Sequence, residues 1–207
     1  MKIRPNERVL IAGKTGSGKT WLAHKLLAHA SRLIVVDPKG NLTKWGLKEP
    51  NFWDWKAFER GKPARLRIVP PIGADPDWFE EFFARLYNYG NLTLYIDEVY
   101  GVTPPGAKPG MWLSALYTRG RERGIGVWAA TQRPVWVPLF LISEADWMLI
   151  FRLNLYDDRK RIASIAGDSI LETIPDPHGL WLYHVDMDDP VYYQSARTSV
   201  LAPEKDV

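Results

Sequence analysis

The run Val9-Leu10-Ile11-Ala12-Gly13-Lys14-Thr15-Gly16-Ser17-Gly18-Lys19-Thr20 decides the fold. A short apolar stretch of strand length leads into Gly13 to Thr20, which fills every fixed position of the pattern G-x-x-x-x-G-K-[ST]. Phosphate chemistry explains the residue types. Glycines let consecutive backbone N–H groups curl around a β-phosphate, Lys19 has the reach for β and γ oxygens, and the Thr20 hydroxyl is an oxygen ligand for Mg²⁺. A helix begun at Lys19 and Thr20 points its positive dipole end at the same phosphates. Gly13, Lys14, Thr15, Gly16, Ser17, Gly18, Lys19 and Thr20 are therefore the expected nucleotide-binding residues, with ATP and Mg²⁺ as the expected ligands.

Outward from this loop the chain alternates strand and helix patterns. Lys19 to about Ala30 reads as a helix with an apolar face of Trp21, Leu22, Leu26 and Leu27, and Leu33 to Val36 as a buried strand. That strand ends in Asp37-Pro38-Lys39-Gly40, a turn that places a carboxylate and an ammonium at its C-terminal edge. The segment Asn41 to Lys62 mixes aromatics with turn formers and gives no clear periodicity, and Leu66 to Val69 is a short strand. Asp75-Pro76 is a helix start, with a capping carboxylate and proline at the first helical position, and Phe79, Phe82, Phe83 and Leu86 supply one face. Leu92 to Ile96 is a strand, Val102 to Gly110 a proline- and glycine-rich loop, Trp112 to Thr118 a helix and Gly126 to Ala130 a strand. Trp147 to Leu153, Tyr156 to Ala166 and Gly179 to His184 follow as strand, helix and strand, and Leu201 to Val207 is a frayed tail. Strands alternating with helices imply a mostly parallel central sheet covered on both faces, with ligands at the C-terminal strand edge. The chain of 207 residues is expected to form one such domain.

Composition excludes several function classes. The absence of cysteine removes disulfide frameworks and thiolate metal sites, and His24, His29, His178 and His184 lack ligand spacing. No run of eighteen residues is apolar enough to span a bilayer and no charged leader precedes a long apolar run, so a soluble intracellular protein is expected. A net charge of +3 permits a polyanionic partner without demanding one. Ten tryptophans could stack on bases, with Trp45, Trp53, Trp55 and Trp136 as candidates, but Trp78, Trp128, Trp147 and Trp181 fall at core periodicity.

A second constellation closes the strand Leu92 to Ile96. Asp97 can hold the Mg²⁺ shell while Glu98 polarises an attacking water. Gln132, at the end of a neighbouring strand, is placed to sense whether the γ-phosphate is still attached. Arg119, Arg121 and Arg123 form a basic cluster between helix and strand; a guanidinium from that corner would reach a phosphate only in a neighbouring subunit. The acidic group Asp186, Asp188 and Asp189 lacks such context and reads as a solvated turn.

Four elements together, Gly13 to Thr20, Val36-Asp37-Pro38-Lys39-Gly40, Ile96-Asp97-Glu98 and Ala130-Thr131-Gln132-Arg133-Pro134, resemble the FtsK-HerA superfamily of DNA-pumping ATPases. Gly120-Arg121-Glu122-Arg123-Gly124-Ile125 resembles the segment that carries the arginine finger in that family, which implies that role for Arg121. The likeness covers about Arg8 to Pro134 and implies a P-loop NTPase fold of the RecA/ASCE-like type, an α/β three-layer sandwich. It also implies a homo-oligomer, a hexameric ring when working, that moves double-stranded DNA without sequence preference. The bare motor core is similar to the genome-packaging ATPases of tailless, internal-membrane icosahedral viruses. That subgroup implies capsid or membrane vertex proteins as docking partners and a location in the host cytoplasm or at the packaging vertex. Candidate DNA contacts are Lys62, Arg65, Arg67, Lys108 and Arg133. Filamentous-phage-type morphogenesis ATPases and conjugation motors share the nucleotide core and stay open as alternatives, as does a non-catalytic assembly protein whose nucleotide is structural. A small-molecule kinase would have no use for the Glu98 and Gln132 pair.

Overall fold

The computed structural model describes residues 3–103 and 108–195. The expected tail Leu201 to Val207 and the centre of the Val102 to Gly110 loop lie outside the described residues. In chain order the elements are β1 (Val9–Ala12), α1 (Lys19–Leu26), β2 (Arg32–Val36), α2 (Phe52–Glu59), β3 (Ala64–Ile68), α3 (Pro76–Tyr89), β4 (Leu92–Ile96) and α4 (Met111–Arg119). They continue with β5 (Ile125–Thr131), α5 (Leu139–Ser143), β6 (Trp147–Phe151), α6 (Tyr156–Ala166), α7 (Ser169–Glu172), β7 (Leu180–His184) and β8 (Val191–Tyr193). The strands form one sheet in the order β3-β2-β4-β5-β1-β6-β7-β8. Pairing is parallel from β3 through β6 and antiparallel for β7 and β8.

Strand periodicity splits each apolar run between two cores. Leu10, Ala12, Ile34, Val36, Leu94 and Ile96 face a core built with α2 to α6, where Phe58, Phe83, Leu116 and Ile162 are buried. Val9, Ile11, Leu33, Val35, Tyr95 and Trp128 face the opposite core, closed by Leu22 and Ala23 of α1 and by Leu27 just after it. Burial on both faces explains why β1, β4 and β6 read as continuous hydrophobic runs rather than alternating ones. This is the three-layer α/β architecture expected from the sequence.

Local signals place the helices. The Asp75 carboxylate accepts from the Trp78 N–H at 2.8 Å and Pro76 opens α3, as its sequence requires. α2 lies in the segment that periodicity could not resolve, and it is started by a capping box. Asn51 accepts from the Asp54 N–H, and the Asp54 carboxylate accepts from the Asn51 N–H, each at 3.0 Å. α1 is shorter than expected and its apolar face is narrower. Leu22 and Leu27 are fully buried, but Trp21 is 38% exposed and turns toward the glycine-rich loop.

Both sheet borders are short or covered. The Arg67 N–H of β3 donates to the Lys48 carbonyl at 2.9 Å, so the Lys48 segment lies along that border, and β8 has three residues.

Candidate nucleotide site

Parallel pairing brings the C-terminal ends of β2, β4, β5 and β1 to one edge of the sheet. The loop between β1 and α1 is anchored there by its backbone. The Gly13 N–H donates to the Thr131 carbonyl at 3.1 Å and the Lys14 N–H to the Arg152 carbonyl at 2.9 Å, tying the loop to β5 and to the chain leaving β6. At Gly13 a Cβ would stand 2.6 Å from Phe151 Cβ and 2.7 Å from Ser17 Oγ, so only glycine fits. Gly18, the residue before α1, has φ +103°, a left-handed backbone that again favours glycine.

The Lys19 ammonium is buried and donates to the Gly13 carbonyl at 2.7 Å and to the Lys14 carbonyl at 3.1 Å. Burial pulls its pKa down, and Glu98 and Asp97 nearby oppose that shift. The Thr20 hydroxyl donates to Asp97 Oδ1 at 3.2 Å. A hydroxyl and a carboxylate converging in this way form a hard-oxygen donor set, which fits Mg²⁺ and not a soft metal. Among the described residues no cluster of histidines and carboxylates forms a separate metal site.

Glu98 follows β4 with φ +79° and ψ +75°, a conformation that costs a non-glycine residue of order 1–3 kcal/mol. Such strain persists where the surroundings hold it. The Gln132 N–H donates to Glu98 Oε1 at 2.9 Å, and the Lys39 ammonium lies 3.6 Å from Oε2. The Gln132 side chain turns the other way, with Oε1 accepting from the Thr15 hydroxyl at 2.5 Å. Thr15, Lys19, Thr20, Asp97, Glu98 and Gln132 thus border one cleft of 320 Å³. β5 lies between β4 and β1 in the sheet, so the strand ending at Gln132 separates the loop strand from the acid-pair strand. A second concavity, of 420 Å³, opens on the other side of the loop between Trp21, Phe151 and His178.

Arg121 is not brought to this cleft. Its Nη2 donates to Asp146 Oδ1 at 2.7 Å at the opposite edge of the sheet, and its side chain is 61% exposed. β5 has seven residues, which at about 3.3 Å each puts roughly 20 Å between the two ends. Arg123 is occupied on the carbonyls of Tyr87 and Asn88, and Arg119 is exposed.

The candidate DNA contacts divide. Arg65 bonds the carbonyls of Leu27, Ala28 and Ala30 that follow α1, and Arg67 pairs with Asp37 and Glu49. Both are committed within the fold, which corrects the expectation that they are available at the surface. Arg133 pairs with the buried carboxylate of Asp158 at 2.9 Å and lies over the Trp136 ring, while Lys62 and Lys108 are exposed.

Tyr95, Asp146 and Asp158 were not singled out from the sequence, and Asp37 was noted there only as a carboxylate at the ligand edge of its strand. Tyr95 alone carried a legible signal, since two residues along a strand from Asp97 means the same face of the sheet. Its phenol donates to Asp97 Oδ1 at 2.7 Å. Asp37 is fully buried and accepts from the Leu42 N–H at 2.8 Å, so it shapes the loop beside the cleft.

No protein-family model matches the chain. It is similar to DNA packaging ATPase P9 of Enterobacteria phage PRD1, at 32% identity over 169 residues that cover 78% of this chain and 72% of that protein. In structure it is similar to the genome packaging NTPase B204 of Sulfolobus turreted icosahedral virus 2 in complex with AMP, with a TM-score of 0.78, 19% identity, and coverage of 93% and 99% of the two chains. The conjugation coupling protein TcpA of pCW3 shares the fold at a TM-score of 0.65 and 16% identity, with 99% of this chain and 66% of that one covered. With the glycine-rich loop, the acid pair and the glutamine on one strand edge, the likeness to P9 places the chain in the family of viral DNA-packaging ATPases to which P9 of phage PRD1 belongs.

Proposed function

We propose that this single motor domain hydrolyses ATP to drive double-stranded DNA past itself into a viral capsid, working as a homo-oligomeric ring. The observation that carries the reading is the meeting of Lys19, Thr20, Asp97, Glu98 and Gln132 around one cleft, on a chain related to a DNA packaging ATPase. In this reading Lys19 exchanges the carbonyls of Gly13 and Lys14 for the β and γ oxygens, and the loop N–H groups bind the β-phosphate. Thr20 and Asp97 hold Mg²⁺, which when bound neutralises charge on those oxygens. Glu98 polarises the attacking water, and Gln132 senses the γ-phosphate from a position joined to Glu98 through its backbone N–H and to Thr15 of the loop through its side chain. Trp21, Phe151 and His178 offer ring faces for the nucleobase.

Arg121 completes the site of a neighbouring subunit. Its exposure and its distance of about 20 Å from its own cleft, estimated from strand rise, support delivery in trans. Lys108, Lys62 and Arg133 are the remaining candidates for phosphate-backbone contacts, which would be sequence-blind and salt-sensitive. Capsid or vertex proteins serve as the docking partners. The deciding experiment measures phosphate release on size-resolved oligomers with and without duplex DNA at low salt. Stimulation by duplex that fades as salt rises supports translocation; a rate indifferent to duplex, single strands and salt would remove DNA as the substrate.

A further inference from the structure

Tyr95 has no part in the phosphate chemistry outlined above, yet it is fully buried with its hydroxyl aimed at the cleft wall. The phenol donates to Asp97 Oδ1 at 2.7 Å, and the Thr20 hydroxyl donates to the same carboxylate oxygen at 3.2 Å. A buried phenol must find an acceptor, so its bond to Asp97 fixes both partners. The ring has little freedom to leave. Trp45, from the segment after β2, stacks on it at 5.1 Å with planes 22° apart, and His24 in turn stacks on Trp45 at 4.9 Å and 25°. His24 stands one helical turn after Thr20 on α1, so the helix that carries the hydroxyl also closes the stack.

We infer that Tyr95, clamped by Trp45, is a positioning residue that sets the orientation of Asp97 and Thr20 and so determines how tightly and how selectively the site takes the nucleotide's divalent cation. The inference rests on the assignment of Thr20 and Asp97 as the cation's ligands. Groups that orient a metal's ligands typically contribute 10–100-fold to its affinity. Mg²⁺ demands near-ideal octahedral geometry while Ca²⁺ tolerates irregular coordination, so a loosened carboxylate penalises Mg²⁺ more.

The test is binding of a fluorescent ATP analogue to the full chain in EDTA, in Mg²⁺ and in Ca²⁺, with thermal melting followed in parallel. Tyr95→Phe keeps the stack and removes the donor. Its affinity in EDTA should match the parent, its affinity in Mg²⁺ should fall by roughly 10–100-fold, and its affinity in Ca²⁺ should fall less. Trp45→Leu keeps the phenol and removes the clamp, giving a smaller loss with the same ion order, and it decides the matter if Tyr95→Phe does not fold. Affinity in Mg²⁺ within twofold of the parent overturns the inference, as does an equal loss with and without metal, which would mark Tyr95 as a packing residue only. If the parent chain itself shows no response to Mg²⁺, the assignment of Thr20 and Asp97 fails first and this inference falls with it.

Discussion

Replacing Glu98 by glutamine separates chemistry from binding and folding. The amide is nearly isosteric, and its oxygen can still accept from the Gln132 N–H now 2.9 Å from the carboxylate. What disappears is one negative charge and its pairing with Lys39 at 3.6 Å. In a medium of effective dielectric 20 that pair has a gross Coulomb energy of about 4.6 kcal/mol. The Lys39 side chain is 43% exposed, however, so solvent screening leaves a net contribution of about 1 kcal/mol or less. Folding should therefore change little, and ATP should bind as well or better, since one carboxylate no longer repels its phosphates. Loss of a general base typically lowers turnover by roughly 10²–10⁴-fold. That corresponds to about 2.7–5.4 kcal/mol of barrier, several times the expected loss of stability. Equilibrium binding of ATP, phosphate release and thermal melting, measured on one preparation, resolve the three quantities. Release within about threefold of the parent, with binding intact, would refute the role given to Glu98 and leave its strained backbone without a catalytic explanation.

Lys19→Ala removes the buried ammonium and should abolish nucleotide binding, read by the same titration. Arg121→Ala should bind ATP normally and turn over slowly, and mixing it with Lys19→Ala chains should restore part of the activity; absence of rescue at any ratio removes the trans assignment. Asp146 sits among Arg8, Arg121 and the Arg8 backbone N–H. Burial pushes its carboxyl pKa up, but the bonds from Arg8 outweigh that and hold it below the ordinary 3.8. A depressed folded value means that the stabilisation is complete above the unfolded pKa and is lost as pH falls through the folded one. Asp146→Asn should therefore cost about 1.5–3 kcal/mol near neutral pH, a gap that closes below pH 3.8. Denaturant melts across that range check it, and a gap independent of pH would mean that packing, not charge, is responsible.

Elements whose identity rests on near-neighbour chemistry were legible in the sequence. Strand, glycine loop and helix from Val9 to Leu26 follow from one motif, and α3 follows from a carboxylate, a proline and four apolar residues. The apolar runs of β1, β4 and β6 were visible because both faces are buried. α2 escaped because aromatics lie on both sides of it, Trp55 and Phe58 against the core and Phe52 and Trp53 exposed, so no single apolar stripe stood out, although the Asn51 and Asp54 pair was available as a start signal. β8 escaped because three half-exposed residues carry no pattern. In the site, Lys19, Thr20, Asp97, Glu98 and Gln132 were named from residue types at strand ends, and they share one cleft because those strands are parallel neighbours. Partners distant in sequence were not legible. The commitment of Arg65 to carbonyls after α1 and of Arg67 to Asp37 depends on how the layers stack, and Trp21 faces outward from a helix whose inward stripe seemed to include it.

The two margins of the sheet bear on how copies of this chain can meet. Unpaired backbone at a sheet margin is a template on which a second molecule can add strands without limit, the route to fibres. Here one margin is already paired to the Lys48 segment, and the other offers a strand of only three residues. Joining by backbone zippering is thus discouraged on both flanks. Copies that associate must read each other through side-chain shape and charge, and contacts of that kind can close on themselves and come apart again.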